Sequence, residues 1–206
     1  TIPTSTSLKM FAVGGEQVPW PLVRQWISKV HIMFNGYGPT ETTVYATMMR
    51  YHAGMDETCS IGTPLTNVRA YIVDPQDIAT LQPPGVPGEL VVAGQQVARG
   101  YMNLPDLTAQ SFVPNPFADA DSPHARMYRT GDLCRWLPDG TIGYMGRIDQ
   151  QVKLRGFRIE LGEIENVLLQ HAAVVGCTVV LRHEGTAGVS ADEYLAAVSY
   201  KPLTLP

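Results

Sequence analysis

The chain has 206 residues, a length that suits one large domain or one and a half small ones, and its 45% hydrophobic and 17% charged residues are the mixture of a soluble globular protein. A net charge of −4, with Lys and Arg mixed among Asp and Glu, leaves no basic stripe or polybasic tail and so argues against nucleic acid and against an anionic membrane as partners. The longest nearly apolar run, Ala172 to Leu181, is too short to span a bilayer.

Leu8 to Val13 predicts a buried strand stopped by Gly14-Gly15. Pro19-Trp20-Pro21 then opens a helix with Leu22, Val23, Trp26, Ile27 and Val30 on one face. His31 to Phe34 predicts a second strand running into the loop Asn35-Gly36-Tyr37-Gly38-Pro39-Thr40-Glu41. Each polar group of that loop has a plausible task at a nucleotide: a ring to stack on a base, a hydroxyl for a phosphate, a carboxylate for Mg²⁺. The alternative is an ordinary Gly-Pro turn with a surface glutamate. Thr42 to Met49 is β-branched and strand-like, and Asn67 to Val73 and Leu90 to Ala93 predict further strands. Asp106 to Val113 predicts a short helix capped by Asp106. Many short strands with Gly/Pro turns point to a β-rich sheet or barrel region.

Tyr128 to Glu165 is the densest stretch, with twelve charged residues and six glycines. Met127 to Leu137 and Thr141 to Met145 predict a hairpin across Pro138-Asp139-Gly140, and Val152 to Leu154 and Phe157 to Ile159 a second around Gly156. Leu161, Ile164, Val167 and Leu168 mark an amphipathic helix with Glu160, Glu163 and Glu165 in its first turns. Strands at Val174 to Arg182 and Glu193 to Tyr200 complete a small α+β unit whose boundary falls near Arg147 to Gln151. Cys59, Cys134 and Cys177 have no metal-ligand spacing and fit free thiols in a reducing cytoplasm.

Four stretches stand in one order: NGYGPTE at 35–41, GELVVAGQQVARGY at 88–101, YRTGDL at 128–133 and GRIDQQVKLRGFRIELGEIE at 146–165. Together they resemble the adenylation domains of nonribosomal peptide synthetases, within the adenylate-forming superfamily. The resemblance implies a mixed α/β and β-rich fold. Residues 1–148 would be the C-terminal part of the large core subdomain, and 149–206 a small, truncated, mobile α+β subdomain. It implies ATP and Mg²⁺ as cofactors, an amino acid as substrate and the phosphopantetheine thiol of a carrier-protein domain as acyl acceptor. Other synthetase domains, in the same or a partner chain, would be its neighbours.

The family's roles fall on numbered positions of this chain. Tyr37 matches the aromatic that packs on adenine, within a cofactor-binding loop that includes Gly36 and Gly38. Thr40 matches the hydroxyl that meets the α-phosphate and Glu41 the Mg²⁺ ligand. Asp132 matches the carboxylate on the ribose hydroxyls, Tyr144 a nucleotide-pocket aromatic and Arg147 an arginine near ribose and phosphates. Asp149 matches the hinge, and Lys153 the lysine of the segment that swings across the site. Phe11, Val13, Gly36, Val44 and Tyr45 fall on or near side-chain-binding positions and imply an uncharged, mainly apolar amino acid. For Phe11 and Val13 the alternative is a plain buried strand.

Gly143 departs from the pattern, which usually has a glutamate there. Neither the family's phosphate loop nor its α-ammonium aspartate is among these residues, and Lys201 is not in the context of the catalytic lysine, so the 206 residues alone are expected to be inactive. An acyl-CoA synthetase of the same superfamily and a binding-only fragment are the competing readings. A purely structural β-rich module ranks last.

Overall fold

The computed structural model describes residues 7–149, 151–154, 157–184 and 192–200. The chain divides into two compact units, Thr1–Ile148 and Asp149–Pro206.

The first unit begins with strand β1 (Met10–Gly14), helix α1 (Trp20–Trp26) and strand β2 (Ile32–Tyr37). A short 3-10 helix at Thr40–Thr42 precedes β3 (Thr47–Tyr51) and β4 (Thr63–Pro64). These four strands form one sheet in the order β1-β2-β3-β4, with β1 parallel to β2 and the other pairs antiparallel. The alternating burial of β1 turns Phe11 and Val13 to one face, where they pack with Trp26 and Ile27 around Val23, Val30, Met33 and Tyr51. Phe11 and Trp26 rings stand 4.8 Å apart.

Five further strands make a second sheet: β5 (Arg69–Val73), β6 (Gly88–Ala93), β7 (Phe112–Pro114), β8 (Arg126–Trp136) and β9 (Ile142–Arg147). A helix, α2 (Pro105–Ser111), leads into β7. The order is β5-β6-β8-β7, and β9 pairs with the later part of β8. This sheet does not close into a barrel among the described residues. Every residue of β6 is buried. Leu90 and Val92 join Ala46, Ile61, Ile72, Cys134 and Ile142 on one face, while Val91 and Ala93 join Val73 and Met127 on the other. A strand covered on both faces reads as a continuous apolar run, and that is why Leu90-Val91-Val92-Ala93 shows no alternation.

The segment 59–64 ties the sheets together. Ile61 N–H donates to Ile142 O at 2.8 Å, and Ile142 N–H to Gly62 O at 2.8 Å, on the β9 side. On the other side Met48 pairs with Thr63, and Thr47 Oγ1 donates to Ile61 O at 2.6 Å.

Two expected elements change. Thr42 to Met49 is not one strand: Thr43 and Val44 have φ of +56° and +70°, and β3 starts only at Thr47. The cause lies in the turn, where the Thr42 and Thr43 N–H groups are taken by Pro39 O and Thr40 O, so local bonding overrides β propensity. Nor does Asp106 cap α2. Leu104 occupies that place, Pro105 follows it, and Asp106 lies in the first turn.

The second unit has the hairpin β10 (Val152–Leu154) and β11 (Phe157–Ile159), helix α3 (Leu161–Leu169), and the hairpin β12 (Gly176–Glu184) and β13 (Asp192–Tyr200). The turn expected around Gly156 and residue Lys201 lie outside the described residues. Glu165 does more than face the helix dipole: its carboxylate accepts the Val179 N–H at 2.8 Å, joining α3 to β12.

Gly62 and Gly140 share a φ of +81°, but a Cβ on Gly62 would lie 2.0 Å from Met48 O, whereas nothing lies within 4 Å of one on Gly140. Gly140→Ala should therefore cost about 1–2 kcal/mol, the left-handed backbone alone. Gly62→Ala should cost at least about 3 kcal/mol, because backbone must also move. Urea midpoints of the two variants check this, and equal losses contradict it.

Candidate functional site

β2 and β8 supply the centre of the site. The ladder between β6 and β8 runs regularly to Val91↔Arg129 and resumes at Glu89↔Leu133. Three residues of β8, Thr130-Gly131-Asp132, thus face the single residue Leu90, a bulge that lifts them out of the ladder. Their polar groups find side-chain partners instead. Thr130 Oγ1 donates to Leu90 O at 2.7 Å and accepts the Asp132 N–H at 3.0 Å. Gly131, at φ +68°, donates its N–H to Glu89 Oε1 at 3.2 Å.

The bulge sends the Asp132 side chain to a buried place, 6% exposed. Arg147 lies directly across the β8–β9 ladder, and its Nη1 donates to Asp132 Oδ1 at 3.0 Å and to Thr130 O at 2.8 Å. The Tyr37 hydroxyl donates to Asp132 Oδ2. Tyr37 also stands 6.5 Å, ring to ring, from Tyr144, and both pack on the core around Leu90 and Cys134. Burial, and then the negative charge of Asp132, push the Tyr37 hydroxyl well above its ordinary pKa, so it stays a proton donor at neutral pH. Burial raises the Cys134 thiol strongly, with Asp132 adding to it, so this cysteine is held neutral.

A second group forms at the turn after β2. Glu41 is 6% exposed, and the Tyr101 hydroxyl donates to its Oε1 at 2.6 Å. Tyr101 and Tyr128 hydroxyls lie 3.4 Å apart. The strap before Tyr101 grips the same turn: Ala98 N–H donates to Glu41 O, and Thr43 Oγ1 to Gln96 O, both at 2.8 Å. These bonds hold Thr43 and Val44 in the left-handed region, which β-branched residues rarely adopt. Thr40 is exposed on the 3-10 helix. A Cβ on Gly38 would meet Val44 O at 2.6 Å, so only glycine lets the turn fold back here.

Among the described residues no three His, Cys, Asp or Glu side chains converge as metal ligands. Glu41 offers one carboxylate, a donor set that fits a cation such as Mg²⁺, which takes most of its oxygens from phosphate and water.

The residues expected around a substrate side chain divide. Gly36 pairs with Gly14 across the parallel β1–β2 ladder, and the Tyr45 ring lies where a Gly36 Cβ would be, at 2.4 Å. The room left by Gly36 is thus taken by Tyr45. Val44 is 65% exposed at the turn. Phe11 and Val13 are half-buried and pack toward α1. Gly143, where a glutamate was expected, has Leu137 side-chain carbons 3.0–3.3 Å from the place of a Cβ.

Asp149 and Lys153 belong to the second unit. The exposed Asp149 accepts the Gln151 N–H at 3.1 Å, and Lys153 is exposed on β10 opposite Arg158. Sequence reasoning gave no role to Glu89, Tyr101 or Thr130. The available signal for Glu89 was a carboxylate opening an apolar strand.

Residues 3–102 match the model of a family described as AMP-binding enzyme. The chain is 53% identical over 180 residues to tyrocidine synthase 3 of Brevibacillus parabrevis, covering 86% of this chain and 3% of that protein. It is 58% identical over 142 residues to gramicidin S synthase 2 of Brevibacillus brevis, covering 69% of this chain and 3% of that one. A solved holo nonribosomal peptide synthetase protein, containing adenylation and PCP domains and bound to a vinylsulfonamide inhibitor, superposes with a TM-score of 0.80 at 26% identity. That match covers 95% of this chain and 33% of the solved one. The chain thus spans a small part of the relatives it matches, and it belongs to the AMP-binding enzymes, among the adenylation domains of nonribosomal peptide synthetases.

Proposed function

We propose that this chain forms the nucleotide-holding part of a domain that activates an amino acid with ATP as an aminoacyl-adenylate, then passes the acyl group to the phosphopantetheine thiol of a carrier-protein domain. The observation that carries the reading is the Asp132 carboxylate, buried on a bulge and fixed by Tyr37 on one oxygen and Arg147 on the other. A carboxylate accepts about four hydrogen bonds. One carboxylate can thus accept from both hydroxyls of a ribose diol, and charge-assisted bonds of this kind are the strong ones.

In this reading the Tyr37 and Tyr144 rings flank the adenine, and Gly36 and Gly38 shape the loop that carries Tyr37 to it. The Thr40 hydroxyl donates to the α-phosphate, and Arg147 lies near ribose and phosphates. Glu41 holds Mg²⁺, which when bound offsets phosphate charge. An oxygen of the substrate carboxylate attacks the α-phosphorus, the bond to the β-phosphate bridging oxygen breaks, and pyrophosphate leaves. The protein's contribution is alignment of two anions by fixed dipoles and cations. The thiol sulfur then attacks the acyl carbon, its proton is lost, and AMP leaves. Phe11, Val13, Gly36, Val44 and Tyr45 carry no charge, so the substrate side chain is read as uncharged and mainly apolar. The second unit turns about Asp149 between the two half-reactions, bringing Lys153 toward the site in one of them. Such chemistry belongs in the cytoplasm, beside the other synthetase domains.

Asp132→Ala removes two ribose contacts worth about 1.5 kcal/mol each and should lower amino-acid-dependent ATP–pyrophosphate exchange in the complete domain about a hundredfold, mainly through KM for ATP. Unchanged exchange would reject the assignment. Asp149→Pro fixes φ at the boundary and should reduce thioester formation more than adenylation, while Asp149→Ala, which removes the acceptor of the Gln151 N–H but leaves φ free, should not split the two half-reactions. Equal loss of the two half-reactions in the proline variant would count against a hinge at this residue.

A further inference from the structure

We propose that Glu89, with Arg129 as its charge partner, is a positioning residue for the nucleotide site: it fixes the Gly131 peptide and thereby the direction of the Asp132 carboxylate. The inference rests on the reading of Asp132 as the ribose ligand.

Glu89 is 3% exposed at the start of the apolar run of β6. Burying a carboxylate is costly unless it is paired and hydrogen-bonded. Arg129 supplies both: Nη2 donates to Glu89 Oε2 at 2.6 Å, and Nε lies 3.1 Å from Oε2 and 3.4 Å from Oε1. The guanidinium is fixed in turn by Pro75 O at 2.9 Å. With its charge balanced, Glu89 accepts the Gly131 N–H on Oε1. The Gly131 carbonyl accepts the Ile148 N–H at 2.9 Å, so this residue is pinned on both sides. Gly131 is in the left-handed region and directly precedes Asp132. With no ladder bond from β6 at this point, the Glu89 side chain substitutes for the missing strand partner. Glutamine at 89 could still accept from Gly131, but it would leave the partly buried guanidinium without a counter-charge. Alanine would remove both contacts.

The test measures AMP affinity by calorimetry, KM for ATP in exchange, and the thermal midpoint, all in the complete adenylation domain. Glu89→Gln should weaken AMP binding about threefold to tenfold and Glu89→Ala more than tenfold. In the Asp132→Ala background the same substitutions should change AMP affinity less than twofold, because the effect passes through Asp132. Arg129→Lys, which keeps the charge but loses the fork, should resemble Glu89→Gln and serves with it where the alanine variant does not fold. Equal weakening in both backgrounds overturns the proposal, as does a lowered thermal midpoint with unchanged AMP affinity and KM. Unchanged AMP affinity in Asp132→Ala itself overturns the reading of Asp132 and this proposal with it. A loss in Asp132→Ala with none in the Glu89 variants overturns the positioning role alone.

Discussion

The site depends on one departure from regular pairing: β8 spends three residues where β6 spends one. A straight ladder would give Thr130, Gly131 and Asp132 partners on the neighbouring strand and leave their side chains alternating between the faces of a packed sheet. The bulge instead detaches them, and the cost of detached backbone groups inside a core is met locally. Thr130 serves Leu90 O and the Asp132 N–H with one hydroxyl, and Glu89 serves the Gly131 N–H. What the fold gains is a buried carboxylate whose direction is set by backbone.

That carboxylate then links both sheets. Tyr37 comes from β2 of the first sheet, Arg147 from β9 of the second, and Asp132 bonds to both. The same sheets meet again through 59–64, where Gly62 passes so close to Met48 that no side chain fits. The pair Tyr37–Tyr144 therefore stands on the apolar cluster of Leu90, Val92, Cys134 and Ile142, not on a loop. Side chains seated on packed strands are held more closely than side chains on mobile turns, which suits a task of alignment.

Much of this was legible in the residues. The hairpin across Pro138-Asp139-Gly140 and the α+β order of the last elements could be read from turn chemistry and periodicity, and β6 from an unbroken apolar run. The motifs singled out Tyr37, Asp132, Tyr144 and Arg147, and the structure brings these four together. What failed was local: Thr42 to Val44 look like strand residues, but side-chain and carbonyl acceptors around the turn hold them in helical and left-handed conformations. Some of these bonds are local, as from Thr42 to Pro39, but the one between Thr43 and Gln96 joins distant stretches of sequence and leaves no periodic trace.

Glu89 shows the same limit from the other side. Its carboxylate was visible in the sequence, but its meaning depends on a bulge forty residues later, and a bulge has no composition of its own. The sequence around Asp132 names a carboxylate after a glycine; only pairing shows why that glycine must be there. A left-handed residue before Asp132 turns the chain, and a partner for its N–H keeps it turned. In the proposed reading the motif residues that meet the nucleotide and those that aim them are consequently different residues. The second kind sits on the neighbouring strand, buried and charged, where an apolar side chain would leave Arg129 without its counter-charge and the Gly131 N–H without an acceptor.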